Sequence, residues 1–138
     1  KETGAVEYIK GSHKWNKMFA PTSFGKETKF SDLYDKMGLE NIPDIDSNKD
    51  NYDIISWDVK PGDIILHHPL VLHSSSGNSS SAKRRRGLAL RYVGEDVVWD
   101  GRKGTFMENE KIQKLLPPIN LNDGDILTSE LFPVIWQH

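Results

Sequence analysis

Two short apolar runs, Ile54-Ile55-Ser56-Trp57-Asp58-Val59 and Ile64-Ile65-Leu66-His67-His68, flank the turn tetrad Lys60-Pro61-Gly62-Asp63. Runs this short, rich in β-branched and aromatic residues and broken by Pro-Gly, predict strands rather than helices. The same reading applies to Gly4 to Lys10, where Ala5, Glu7 and Ile9 alternate with Val6, Tyr8 and Lys10 before a Gly11-Ser12 turn. It applies again to Arg86 to Val93, and to Val97-Val98-Trp99 as a further short strand. Pro69 marks an edge or a bulge, because it donates no hydrogen bond to a ladder. Several short strands with Gly/Pro turns predict a mainly β chain with peripheral helix, closing as a sandwich or barrel. Trp57 and Trp99 are expected in its core.

Helical spacing is confined to two places. Phe30, Leu33 and Met37 follow a helical period with Ser31 as N-cap, and Glu108 to Leu116 predicts a short helix stopped by Pro117-Pro118. The first lies in a long excursion, residues 16–53, that ends in the polar tract Asp44 to Asp53. Loops of this length are uncommon unless functional, and a lid is a usual reason. The acidic tract lacks the alternating acids and bidentate Glu of a calcium loop and is expected to face solvent. In His13-Lys14-Trp15, burial of Trp15 with Lys14 solvated is favoured over a substrate contact.

At 138 residues the chain has the size of one domain, so residues 1–138 are expected to share one core. Its 18 basic and 20 acidic residues nearly cancel, which gives no global pull toward nucleic acid or an anionic membrane. Lys83 to Arg86 is a local basic cluster without the aromatic stripe of a nucleic-acid surface. No run approaches the roughly eighteen apolar residues of a membrane helix, and the first residues do not resemble a secretory signal. A soluble, cytoplasmic protein acting on a small molecule is expected, with no nucleic-acid or membrane partner. With no cysteine, metal chemistry falls to His and carboxylates.

His73 ends the apolar run Pro69-Leu70-Val71-Leu72, three serines and Gly77-Asn78 turn the chain, and Arg84-Arg85-Arg86 leads into the next predicted strand. A strand-end imidazole followed by an inward guanidinium suits a metal-chelating dicarboxylate, with the metal at one end and a forked Arg at the other.

His68 to Asn78, followed by Arg85-Arg86-Gly87-Leu88-Ala89-Leu90-Arg91-Tyr92, resembles the distal motif of the phytanoyl-CoA dioxygenase-like family. Gly4 to Trp15 resembles the segment between that family's two metal motifs, and Asp123-Gly124-Asp125 through Leu131-Phe132-Pro133-Val134 its usual ending. The resemblance implies a double-stranded β-helix (jelly roll, cupin-like) of which this chain is the C-terminal portion. It implies iron(II) and 2-oxoglutarate as cofactors, and oxidative hydroxylation of a small-molecule substrate. His73 matches the second histidine of the iron-binding triad. Arg85 matches the arginine that binds the far carboxylate of 2-oxoglutarate, and Ser75 a hydroxyl that helps hold it. Arg84 is the alternative to Arg85, since neighbours in a strand face opposite sides. Small Gly87 and Ala89 share Arg85's parity and favour it; Arg91 shares that parity too and is the candidate contact for an acidic group on the substrate. His67 and His68 are read as packing or supporting residues.

One departure is an absence. The family's first metal motif is His-x-Asp, and none of His13, His67, His68, His73 and His138 has an acid two positions later. Two of the three iron ligands therefore lie outside this sequence, which, with its start at Lys1, leads to the expectation of a fragment inactive on its own. The alternatives are a cupin-like small-molecule binding module without redox activity, and a homodimer sharing exposed strand edges.

Overall fold

A computed structural model describes residues 2–22, 31–102 and 113–137. The chain forms two compact units, residues 1–87 and 88–138.

The first unit is organised by a three-stranded antiparallel sheet: β1 (Val6–Ile9), β2 (Ile54–Ser56) and β3 (His73–Ser75), in the order β2-β1-β3. β1 carries Val, Tyr and Ile, residues whose side chains fit a pleated, half-buried surface. As the central strand it has both edges paired, which is why Tyr8 and Ile9 are the buried apolar residues among those described, each 6% exposed. The register sets Tyr8 opposite Ile55 on one side and His73 on the other.

Two polar devices hold this sheet. The Ser12 hydroxyl, buried in a 3-10 turn (Ser12–Lys14), donates to the Ile9 carbonyl at 2.9 Å and accepts from the Leu72 N–H at 2.8 Å. It ties the end of β1 to the segment entering β3, beside the Ile9 N–H to Leu72 carbonyl bond of 2.9 Å. At the other end, Gly4 has φ +81°, and a Cβ there would sit 2.6 Å from the Gly77 carbonyl oxygen. Only glycine allows that backbone approach.

Residues 16–53 leave and rejoin the sheet beside β1, where the Lys10 N–H donates to the Asp53 carbonyl at 2.9 Å. They contain the expected helix, α1 (Ser31–Lys36), which ends at Gly38 in the left-handed region, φ +67°. A kinked 3-10 segment (Asp46–Asn51) forms the polar tract, which faces solvent as expected. Trp15 is half-buried against Phe19 and Tyr52, and Lys14 is exposed.

Several predicted strands do not form. Residues 64–68 and 86–93 are irregular, although the intervening Lys60–Asp63 turn closes as expected, with Asp63 N–H donating to the Lys60 carbonyl at 3.0 Å. A strand-like sequence becomes a strand only against a ladder partner and a covering layer. Ile64 and Leu66 are each 90% exposed and Leu88 is 85% exposed, so among the described residues both are lacking. Trp57, expected in the core, is 48% exposed and rests against Tyr8 with ring centroids 5.8 Å apart.

In the second unit, Val97 to Trp99 pairs with Asp125 to Leu127 through one antiparallel bridge, Val98 to Ile126, below the Asn122–Asp125 turn. The helix expected over residues 108–116 falls largely outside the described residues, and Gln113 to Leu116 form a turn before Pro117. Among the described residues no helix is long and apolar enough to cross a membrane.

Candidate active site

His73 opens β3 instead of closing a strand made of the preceding apolar run. Its Nδ1 lies 2.9 Å from the Val71 carbonyl. A carbonyl only accepts, so Nδ1 carries the proton in this hydrogen bond, the tautomer whose lone pair is at Nε2. Histidines that bind metals as a rule donate their other N–H to a carbonyl or carboxylate in this way. The exposed imidazole therefore fits one position of a metal centre. Among the described residues no group of three His, Asp or Glu could hold a metal.

The imidazole sits in a cluster of rings. Tyr8 stacks on it at 5.7 Å between centroids and 28° between planes, and His67 lies 5.0 Å from His73 and 5.3 Å from Tyr8. Four of the five histidines collect here, because His13 also faces His68 at 5.1 Å. His68 Nδ1 accepts from the Leu70 N–H at 3.1 Å, which places its proton on Nε2. Tyr8, His13, Ile55, Trp57, Ile65, Leu66, His67 and His68 line a cavity of about 300 Å³. The Nδ1 of His13 is buried with no hydrogen-bond partner in the protein.

Ser75 follows His73 on β3 by two residues, hence on the same face. Its hydroxyl donates to the Gly4 carbonyl at 2.9 Å and accepts weakly from the Gly77 N–H at 3.4 Å. Arg84, Arg85 and Arg86 are exposed and outside any strand, so the alternation used to choose among them has no ladder beneath it. Arg85 still lies over Gly87, its guanidinium 4.0 Å from the place of a Cβ there. Its charge also reaches Tyr8: burial pushes the Tyr8 phenol above its ordinary value, and the Arg85 guanidinium opposes that rise. His73 and Tyr8 thus share one neighbourhood, and the Arg85 charge acts on Tyr8 within it. Arg91 belongs to the second unit, where it is exposed.

Sequence reasoning missed Tyr8 and Ser12. Tyr8 read as one member of an alternating strand, and Ser12 as a turn residue. A serine right after the turn glycine and short of an apolar run was the available signal for the second.

The family model for phytanoyl-CoA dioxygenase (PhyH) matches residues 1–87, the residues of the first unit. The chain belongs to this family, whose members are 2-oxoglutarate-dependent oxygenases, and the membership supports a dioxygenase-like function in general. No curated protein and no solved structure matches the chain.

Proposed function

We propose that the chain is the C-terminal part of an iron(II)- and 2-oxoglutarate-dependent hydroxylase of the phytanoyl-CoA dioxygenase type, acting on a small molecule. The observation that carries this reading is the pose of His73, with Nδ1 committed to the Val71 carbonyl and Nε2 open at a strand end. His73 is the metal ligand from this chain, and the His-x-Asp or His-x-Glu pair that completes the centre lies outside these 138 residues, since the sequence contains none. A lone imidazole holds iron(II) poorly, so the isolated chain binds it weakly or not at all.

Bound iron(II) would supply the activation of dioxygen, the oxidant, whose two oxygen atoms end in succinate, formed as 2-oxoglutarate loses carbon dioxide, and in the new hydroxyl of the substrate. The chain's own residues do the rest. Arg85 orients 2-oxoglutarate by forking onto its far carboxylate, with Arg84 as the alternative. Ser75 supports the same cosubstrate by turning its hydroxyl from the Gly4 carbonyl to a carboxylate oxygen. Arg91 is the proposed contact for an acidic substrate group. In this reading residues 1–138 are the C-terminal portion of one jelly-roll domain, with residues 16–53 as a lid-like insertion, and a homodimer through exposed strand edges is the proposed assembly.

The test is succinate formation from 2-oxoglutarate by the protein expressed with its upstream reading frame. Iron-dependent turnover should be lost in His73→Ala. In Arg85→Ala the apparent affinity for 2-oxoglutarate should weaken about 10- to 100-fold, the worth of hydrogen bonds to a charged group. An upstream frame with neither His-x-Asp nor His-x-Glu contradicts the reading, as does full activity in His73→Ala.

A further inference from the structure

We infer that Tyr8 is the positioning residue for His73: its ring, fixed in the central strand, is the wall that holds the imidazole in its metal-binding pose. The inference rests on the reading of His73 as an iron ligand and adds what fixes that ligand in place.

The sheet register dictates the contact. Tyr8 and His73 are direct cross-strand partners, so their side chains leave the same face of neighbouring strands. Tyr8 is 6% exposed and belongs to the only strand paired on both edges among those described, whereas His73 is exposed on an edge strand of three residues. Mobility and constraint are thus unequally divided. A solvent-exposed imidazole on an edge has several rotamers open to it, and one hydrogen bond to Val71 two residues away leaves the ring free to tip. The near-parallel Tyr8 ring, 28° from the imidazole plane, removes that freedom. His67 closes the group from a third side, 5.0 Å from His73 and 5.3 Å from Tyr8. Among the described residues neither neighbour hydrogen-bonds Nε2: His67 Nδ1 is directed to the His68 carbonyl at 3.1 Å. What Tyr8 offers His73 is a face, so its aromatic ring matters and its hydroxyl does not.

This predicts a specific pattern in the whole 138-residue chain without metal, read by nuclear magnetic resonance of the His73 ring. In the wild type, ring protons of Tyr8 and His73 should show a mutual Overhauser effect, and the His73 ring should hold its proton mainly on Nδ1. Tyr8→Phe should retain the proton position and the upfield ring-current shift of His73. Tyr8→Ile, which puts an apolar residue of high strand propensity in its place, should lose both, with the Nδ1-protonated form falling to a minority. Unchanged His73 shifts and proton position in a folded Tyr8→Ile would overturn the inference, and so would their loss in a folded Tyr8→Phe. If Tyr8→Ile does not fold, the wild-type Overhauser effect decides alone, and its absence overturns the inference. Adding zinc to the protein that carries the upstream frame separates the two claims. If the His73 ring signals do not move there, the ligand reading fails, while the bracing contact stands or falls on the metal-free spectra.

Discussion

The two units of this chain have similar strand-like sequences and different outcomes. In residues 1–87, Val6–Ile9 is paired on both edges and buries Tyr8 and Ile9. In residues 88–138, Leu88-Ala89-Leu90 offers the same alternation, yet Leu88 is 85% and Leu90 65% exposed, and the described pairing is one bridge between Val98 and Ile126. The difference lies in partners, not propensity. Strand formation fixes backbone at a cost of about 1–2 kcal/mol per residue, which cross-strand contacts and burial must offset. β1 has a partner on each side, and residues 88–93 have none among the described residues. The family match and the candidate site fall in the unit where those partners exist.

Substitution at matched positions is the strongest way to break that contrast. Tyr8→Ala empties a buried site touched by three other rings and should destabilise the first unit by about 3–5 kcal/mol, the range for removing large aromatic side chains. Leu88→Ala, at an exposed position, should change stability by no more than about 0.5 kcal/mol. Urea unfolding followed by hydrogen exchange in each unit checks both, and comparable losses would mean that residues 88–93 are buried against a partner in solution.

A smaller effect tests whether the sheet depends on its polar stitch. Ser12→Ala removes the acceptor for the Leu72 N–H and the donor to the Ile9 carbonyl. Leaving buried backbone groups unpaired should cost about 1–3 kcal/mol. Exchange at the Leu72 amide should accelerate far more than exchange at Asp125 in the second unit.

The smallest effect concerns the link between Tyr8 and Arg85. Burial raises the Tyr8 phenol and Arg85 opposes the rise, so Arg85→Ala should move its ionisation to still higher pH, measured by phenolate absorbance. A group with a raised folded pKa contributes stability that is present below its unfolded value and lost as pH climbs through the folded value. Alkaline unfolding should therefore track Tyr8. An ionisation unmoved by Arg85→Ala would separate the arginine from the ring cluster.

These contrasts also mark what the sequence made legible. β1, β2 (the first half of the strand expected over 54–59), the Lys60–Asp63 turn and α1 were readable because each depends on its own residues: alternation, Pro-Gly, helical spacing ended by Gly38. The strands expected at 64–68 and 86–93 were not reliable, because their formation depends on partners that periodicity does not reveal. His73, Ser75 and Arg85 stood out through the motif that carries them. The bracing of His73 by Tyr8, 65 positions apart in the chain, depends on cross-strand register, which no local pattern encodes. The gathering of His13, His67 and His68 around one cavity was hidden for the same reason.

We propose above all that His73 is an iron ligand of a 2-oxoglutarate-dependent oxygenase. The most direct test is an anaerobic titration of the protein carrying its upstream frame with iron(II) and 2-oxoglutarate, following the visible metal-to-ligand charge-transfer absorption. A saturable band is expected in the wild type, and its loss in His73→Ala. A band of equal strength in His73→Ala, with the variant folded, would contradict it.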